Sequence, residues 1–256
     1  MCAGILLMGG LLVWAQTYAR SIQAEAFTAL SAQSVAADSI ASQTNQRYRF
    51  VRLDGVAKPL LVLPRQQYLS PNGVWFLVNK AAGLDLSFAP GDLVASPLPT
   101  YQNEPLQVRR VIIDPLNALN EAAQKEGIKL MIRSAYRSGD EQQQLAFAMS
   151  GSELVAPAGY SEHQTGLAID FNTYSSTCVT TCGLSSTAAA WLKSHAATYG
   201  FALRYPEGKE SATGYPAEVW HYRYVGAPLA LSLMQSGKTL DEVYSLFETA
   251  KPRGQQ

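Results

Sequence analysis

Charge of one sign is not in excess in this chain: twenty Lys and Arg balance twenty Asp and Glu, for a formal net charge of zero. No basic cluster appears along it, which removes the electrostatic footing that nucleic-acid binding needs. Cysteine is scarce. Cys2, Cys178 and Cys182 are too few for a disulfide scaffold or a four-thiolate zinc site. Histidine is equally scarce, and His163, His195 and His221 are the whole supply. Any imidazole-based metal site must draw on that short list. A long apolar run is missing too. The opening stretch from Cys2 to Ala15 has about 14 residues, where a spanning helix wants about 20.

What is present suits a folded protein. Hydrophobic residues make up 47% and charged residues 16% of 256 positions, enough for a sizeable core and incompatible with global disorder. The length allows one large domain or two small ones. The opening stretch has the length of a signal-peptide core, and Ala24-Glu25-Ala26 offers a cleavage site. No Lys or Arg precedes it, so an uncleaved anchor, a start further upstream or a buried helix stay open beside export. The expected organisation is a signal peptide or membrane anchor over residues 1–26, a Ser/Ala/Gln-rich linker over 27–46, and a folded domain over 47–256. Location in the periplasm or at the outer cell surface would follow.

Within that domain, Leu60–Leu63 and Trp75–Val78 read as short strands between Pro and Gly breaks. Residues Asp114 to Glu126 carry Leu116, Leu119, Ala122 and Ala123 on one helical stripe, with Asp114 as N-cap, Pro115 at the first position and Gly127 as stop. Helices are also expected over 140–149, 188–199 and 239–250, and strands at Leu130–Ile132, Leu167–Phe171 and Trp220–Tyr224. Gly226-Ala227-Pro228 reads as a turn. This mixture predicts an α+β fold with a small central antiparallel sheet flanked by helices.

Chemistry concentrates in two segments. In Ser161-Glu162-His163-Gln164-Thr165-Gly166-Leu167-Ala168-Ile169-Asp170, strand alternation sends Asp170 to the face opposite Leu167, Ile169 and Phe171. A bend at Gly166 can fold His163 back to that side. Downstream, Glu218-Val219-Trp220-His221 supplies a second imidazole and a carboxylate. A regular strand would put Glu218 and His221 on opposite faces; a turn or bulge would bring them together. Two His and one Asp leave a fourth zinc position open, the stoichiometry of a catalytic site, and a nearby Glu could accept a proton from water there. A His beside an Asp is more often an ordinary hydrogen-bonded pair. His195 reads as a helix-surface or packing residue. Cys178 and Cys182 suit a small disulfide in an exported protein, or two free thiols.

Tyr136-Arg137-Ser138 with Gln142, then SEHQTGLAID, YGFALRYP and TGYPAEVWHYRYVG together resemble the VanY-type D-alanyl-D-alanine carboxypeptidases. Those enzymes belong to a larger group of zinc peptidases that includes lysostaphin-like and hedgehog-type domains. The resemblance covers about residues 75 to 230, with S-x-H-x-x-G-x-A-x-D and E-x-W-H in order. It implies one zinc ion held by His163, Asp170 and His221 in a cleft on the sheet, with Glu218 as catalytic base. It further implies that Arg137 binds the substrate's terminal carboxylate, that Ser161 contacts substrate, and that Gln142 belongs to the cleft. Val219 departs from the proline many relatives carry. The implied substrate is the peptidoglycan stem peptide, losing its terminal D-alanine, with D,D specificity favoured and L,D cleavage open. A non-catalytic wall-binding module on the same scaffold is one alternative, which Glu218 argues against. A non-haem iron oxygenase is another, but its usual H-x-D pair differs from His163 and Asp170, seven positions apart.

Overall fold

The computed structural model describes residues 48–52, 60–64, 70–174 and 183–249. The chain clusters into two units, 1–49 and 50–256, and everything that forms the site lies in the second. The expected export segment, linker and Cys178–Cys182 loop lie outside the described residues. No described helix is long and apolar enough to cross a membrane.

Strands β1 (Tyr48–Arg52) and β2 (Leu60–Pro64) pair with each other, as do β3 (Leu93–Ala95) and β4 (Gln107–Arg109). Helix α1 (Ile113–Lys125) follows, then β5 (Leu130–Ser134), α2 (Gly139–Ala148) and β6 (Ala168–Thr173). Next come α3 (Ser186–His195), β7 (Phe201–Tyr205), the single turn α4 (Glu210–Thr213), β8 (Glu218–Tyr224), α5 (Ala227–Ser236) and α6 (Leu240–Thr249). Four strands make the central antiparallel sheet in the order β5-β6-β8-β7. The expected α+β architecture is what forms.

Period-two alternation gives the sheet two unlike faces. Ile132, Ile169, Phe171, Phe201 and Tyr222 point one way and pack with Leu116, Leu119, Trp191 and Leu192 from α1 and α3. The other face carries Asp170, His221, Arg223 and Arg204, which alternate with those residues along β6, β8 and β7. A second cluster, including Leu77, Ala202, Val225, Leu229, Leu233 and Val243, joins β7 to α5 and α6. The apolar side anchors the sheet; the polar side is where the chemistry stands.

Local expectations meet some corrections. Trp75–Val78 forms turns and irregular backbone, with Leu77 and Val78 buried as side chains packed against other elements. Asp114 lies inside the first turn of α1, and Ile112 takes the N-cap place with no side-chain cap, because a 3-10 turn over Arg110–Ile112 leads straight into the helix. Gly226 precedes α5, whose Pro228 stands in the first turn, where proline's missing N–H costs nothing. The expected turn there is a helix start. Helix α3 tightens into a 3-10 turn over Ala196–Tyr199 that ends at Gly200 with φ +88°.

Candidate metal centre and active site

Three backbone devices bring the ligands together. Ser161 caps a 3-10 turn over Glu162–Thr165, accepting from the His163 N–H, and Gly166 closes it at φ +65° in the left-handed region. That turn carries His163 back over the polar face of the sheet. Asp170 and His221 are direct cross-strand partners on β6 and β8. On β8 the register runs from Leu203↔Tyr222 to Tyr205↔Glu218, so β8 spends two extra residues between those pairs. This bulge answers the question that the sequence left open. It brings a Glu218 oxygen within 3.6 Å of His221 Nδ1, where three residues of regular strand would separate them by about 10 Å.

His163, Asp170 and His221 each offer a ligand atom, all within 4.8 Å of one another. Asp170 Oδ2 lies 3.3 Å from His163 Nε2, and its Oδ1 lies 2.9 Å from His221 Nδ1. Two nitrogen or oxygen ligands on a tetrahedral zinc stand about 3.3 Å apart. The imidazole planes are nearly perpendicular, at 85°, so the donor atoms converge without the rings stacking. Asp170 Oδ1 is buried, and its 2.9 Å contact with His221 Nδ1 lacks hydrogen-bond geometry. A carboxylate oxygen in that condition is costly unless a cation faces it. His163 Nδ1 contacts the Ala135 carbonyl at 2.6 Å, so it carries the proton and Nε2 keeps its lone pair for a metal. The residues present fit a zinc ion.

The electrostatics divide the carboxylates by role. Burial would raise the Asp170 pKa, but His163 and His221 outweigh it and hold the group far below its usual range. Asp170 is therefore an anion. Burial pushes Glu218 up to about 7, moderated by His221 and reinforced by Asp170, which is the range a proton acceptor needs near neutrality. Burial lowers the His163 pKa against the pull of Asp170. For His221 burial also acts downward, but contacts with Asp170 and Glu162 prevail and raise it to about 9.

Arg137 is brought to the same cleft by a bulge in β5. Between Ile132↔Phe171 and Ser134↔Asp170 one extra residue is inserted, so Ser134 faces the polar side with Asp170. Its hydroxyl accepts from Arg137 Nη2 at 2.7 Å, and Gln142 Oε1 accepts from Nη1 at 2.6 Å. Gln142, on α2, is buried and donates to the Ala156 carbonyl at 2.6 Å. Its role in the structure is thus to hold Arg137, while Ser161 acts as a turn cap. His195 stands apart, stacked on Trp191 at 4.7 Å as a helix-surface residue.

A family model described as VanY, D-alanyl-D-alanine carboxypeptidase, matches residues 105–227, the span that holds all of these side chains. YodJ of Bacillus subtilis (strain 168), provisionally named a carboxypeptidase, is 34% identical over 241 residues, covering 90% of this chain and 85% of its own. This chain belongs to the VanY family of carboxypeptidases. Another relative in that family, a D-alanyl-D-alanine carboxypeptidase of Enterococcus faecium, is 37% identical over 133 residues, or 52% of this chain and 42% of its own. The LdcB LD-carboxypeptidase structure matches with a TM-score of 0.62 at 32% identity, over 80% of this chain and 95% of that one. A VanY D,D-pentapeptidase solved with Zn(II) matches with a TM-score of 0.57 at 27% identity, over 67% and 98%.

Sequence reasoning passed over Glu162. It is fully buried beside two arginines, and its signal was a charge placed directly before a ligand together with Arg204 and Arg223 at alternating strand positions. Gln164 was also missed: its amide donates to the Asp85, Leu86 and Phe88 carbonyls and pins that loop beside the 3-10 turn.

Proposed function

We propose that this VanY-family chain is a zinc-dependent carboxypeptidase that releases the C-terminal D-alanine of peptidoglycan stem peptides. One zinc ion would be held by His163, Asp170 and His221. The observation that carries the reading is the convergence of those three donors with Glu218 at 3.6 Å from His221 Nδ1. A zinc ion bound there supplies Lewis acidity, acidifying water toward ~7 and polarising a carbonyl. Glu218 takes the proton of the attacking water and passes it to the leaving amine. Arg137, prealigned by Ser134 and Gln142, offers its guanidinium fork to the substrate's terminal carboxylate. That clamp makes the reaction exo-acting. A module that only bound the wall would have no use for Glu218.

Hydrolysis of a D,D bond follows the family's description, and the likeness to the LdcB LD-carboxypeptidase supports L,D cleavage as a second reading. Purified tetra- and pentapeptide stems, incubated with and without a chelator and read by mass spectrometry, decide between them. Loss of one alanine from the pentapeptide only, abolished by chelation, is the expected result. Release from the tetrapeptide would support the L,D reading, and chelator-resistant release would overturn the zinc assignment. We also place the protein outside the cytoplasm, at the periplasm or outer surface, supported by the apolar Cys2–Ala15 stretch, which would serve as signal or membrane tether. Cell fractionation tests this.

A further inference from the structure

Glu162 stands at the centre of the scaffold around the metal site, yet neither ligation nor proton transfer employs it. Its side chain has no solvent exposure. Oε1 accepts from Arg204 Nε at 2.8 Å and from Arg223 Nη1 at 2.9 Å. A carboxylate so deep in the protein needs such partners, and both are spent on one oxygen. The other, Oε2, has no hydrogen-bond partner among the described residues and lies 3.6 Å from His221 Nε2, which is likewise buried without a partner. Two orphaned atoms of complementary type thus face each other. An approach of about half an ångström makes them an ordinary hydrogen bond.

We infer that Glu162 is the positioning residue that fixes His221 as an Nδ1 ligand by accepting its Nε2–H, an inference that rests on the zinc reading above. A neutral imidazole has one donor and one acceptor nitrogen, and an acceptor-only carboxylate beside Nε2 decides which is which. The arginines do two things for Glu162. They balance its charge, and by occupying Oε1 they leave Oε2 turned toward His221 Nε2. They are anchored in turn. Arg204 binds Asp241 and the Val78 carbonyl, and Arg223 Nη2 donates to the Val74 and Phe76 carbonyls at 3.0 and 2.9 Å. His163 reaches the same end through the Ala135 carbonyl, but with the opposite nitrogen. The two histidine ligands therefore carry opposite tautomers, which is a measurable signature.

The experiment uses the full chain with 15N-labelled histidine, loaded with zinc. Long-range 1H–15N correlation is expected to show His163 protonated at Nδ1 and His221 at Nε2, with the His221 proton protected from exchange. Glu162→Gln is expected to weaken zinc binding about 10- to 100-fold in competition with a chelator, and to alter the Co(II) absorption spectrum. KM for the peptide should move little, since Arg137 is not touched. The inference is overturned by a His221 that binds through Nε2, or by a folded Glu162→Gln protein with wild-type zinc affinity. If that variant does not fold, the tautomer measurement on the unmutated protein decides alone. A wild type that takes up no zinc would overturn the metal reading itself, and the positioning role with it.

Discussion

At the scale of the residue, the site works because neighbouring groups of the same type are given different environments. Asp170 and Glu218 are both carboxylates close to His221, but Asp170 stays ionised at all working pH values while Glu218 is poised at about 7. A general base must be deprotonated, so turnover is fully present above that value and falls as pH drops through it. A bound cation shifts the limb to lower pH. The acid limb of kcat/KM is accordingly expected at or below about 7, and a limb well above it would contradict the assignment. Glu218→Ala should keep its zinc and lose about 10²- to 10⁴-fold in kcat, checked by metal analysis beside steady-state kinetics. For Arg137 the expected loss is different in kind. Arg137→Ala removes charge-assisted hydrogen bonds worth about 1.5–3 kcal/mol, so kcat/KM for peptides with a free C-terminus should fall about 10- to 150-fold. Amidated peptides, poor substrates for the wild type, should show no such difference; equal cleavage of both peptide forms by the wild type would remove the clamp.

At the scale of the element, the turn over Glu162–Thr165 is the part most sensitive to a small change. Gly166 has φ +65°, and a Cβ there would come within 2.9 Å of Arg109 Cγ and 3.0 Å of Leu93 Cδ2. Gly166→Ala combines left-handed strain with crowding and is expected to cost about 1–3 kcal/mol, seen as a lower Tm by calorimetry. His163 hangs on that turn, so zinc retention should fall as well. Helix bodies were legible from their apolar spacing, since burial against one face imposes the 3.6-residue period. Helix starts were less so. Asp114 could have capped α1, but a preceding 3-10 turn fixed the start two residues earlier, and no sequence signal distinguishes a cap from a first-turn acid in that setting. Similarly, Leu77 and Val78 look like strand residues because they are buried, although their burial comes from packing and not from pairing.

At the scale of the whole molecule, metal binding and folding are one equilibrium. Zinc binds only the assembled site, so it should raise the unfolding temperature, by an amount that grows with its free concentration and vanishes with a chelator. The pH dependence has a definite sign. In the metal-free protein His221 is raised to about 9, which stabilises that form below about 6.5 and is lost as pH rises through 9. Zinc requires the neutral imidazole and must displace that proton. The gap in Tm between zinc-loaded and metal-free protein should therefore widen from pH 6 to 9, and a gap independent of pH would show that His221 releases no proton on binding.

The sequence by itself determined the residue supply and the faces. With three histidines in the chain, a two-histidine site had few ways to form, and alternation along β6 committed Asp170 to the side away from Ile169 and Phe171. Only the tertiary structure decided how those groups meet. The bulges in β5 and β8 that turn Ser134 and Glu218 toward the cleft are register shifts between strands far apart in the chain. So is the burial of Glu162 between Arg204 and Arg223, which local patterning cannot reveal because each charge, read alone, belongs on a surface. Composition and periodicity are local properties, whereas convergence depends on which distant backbones pair and where they slip.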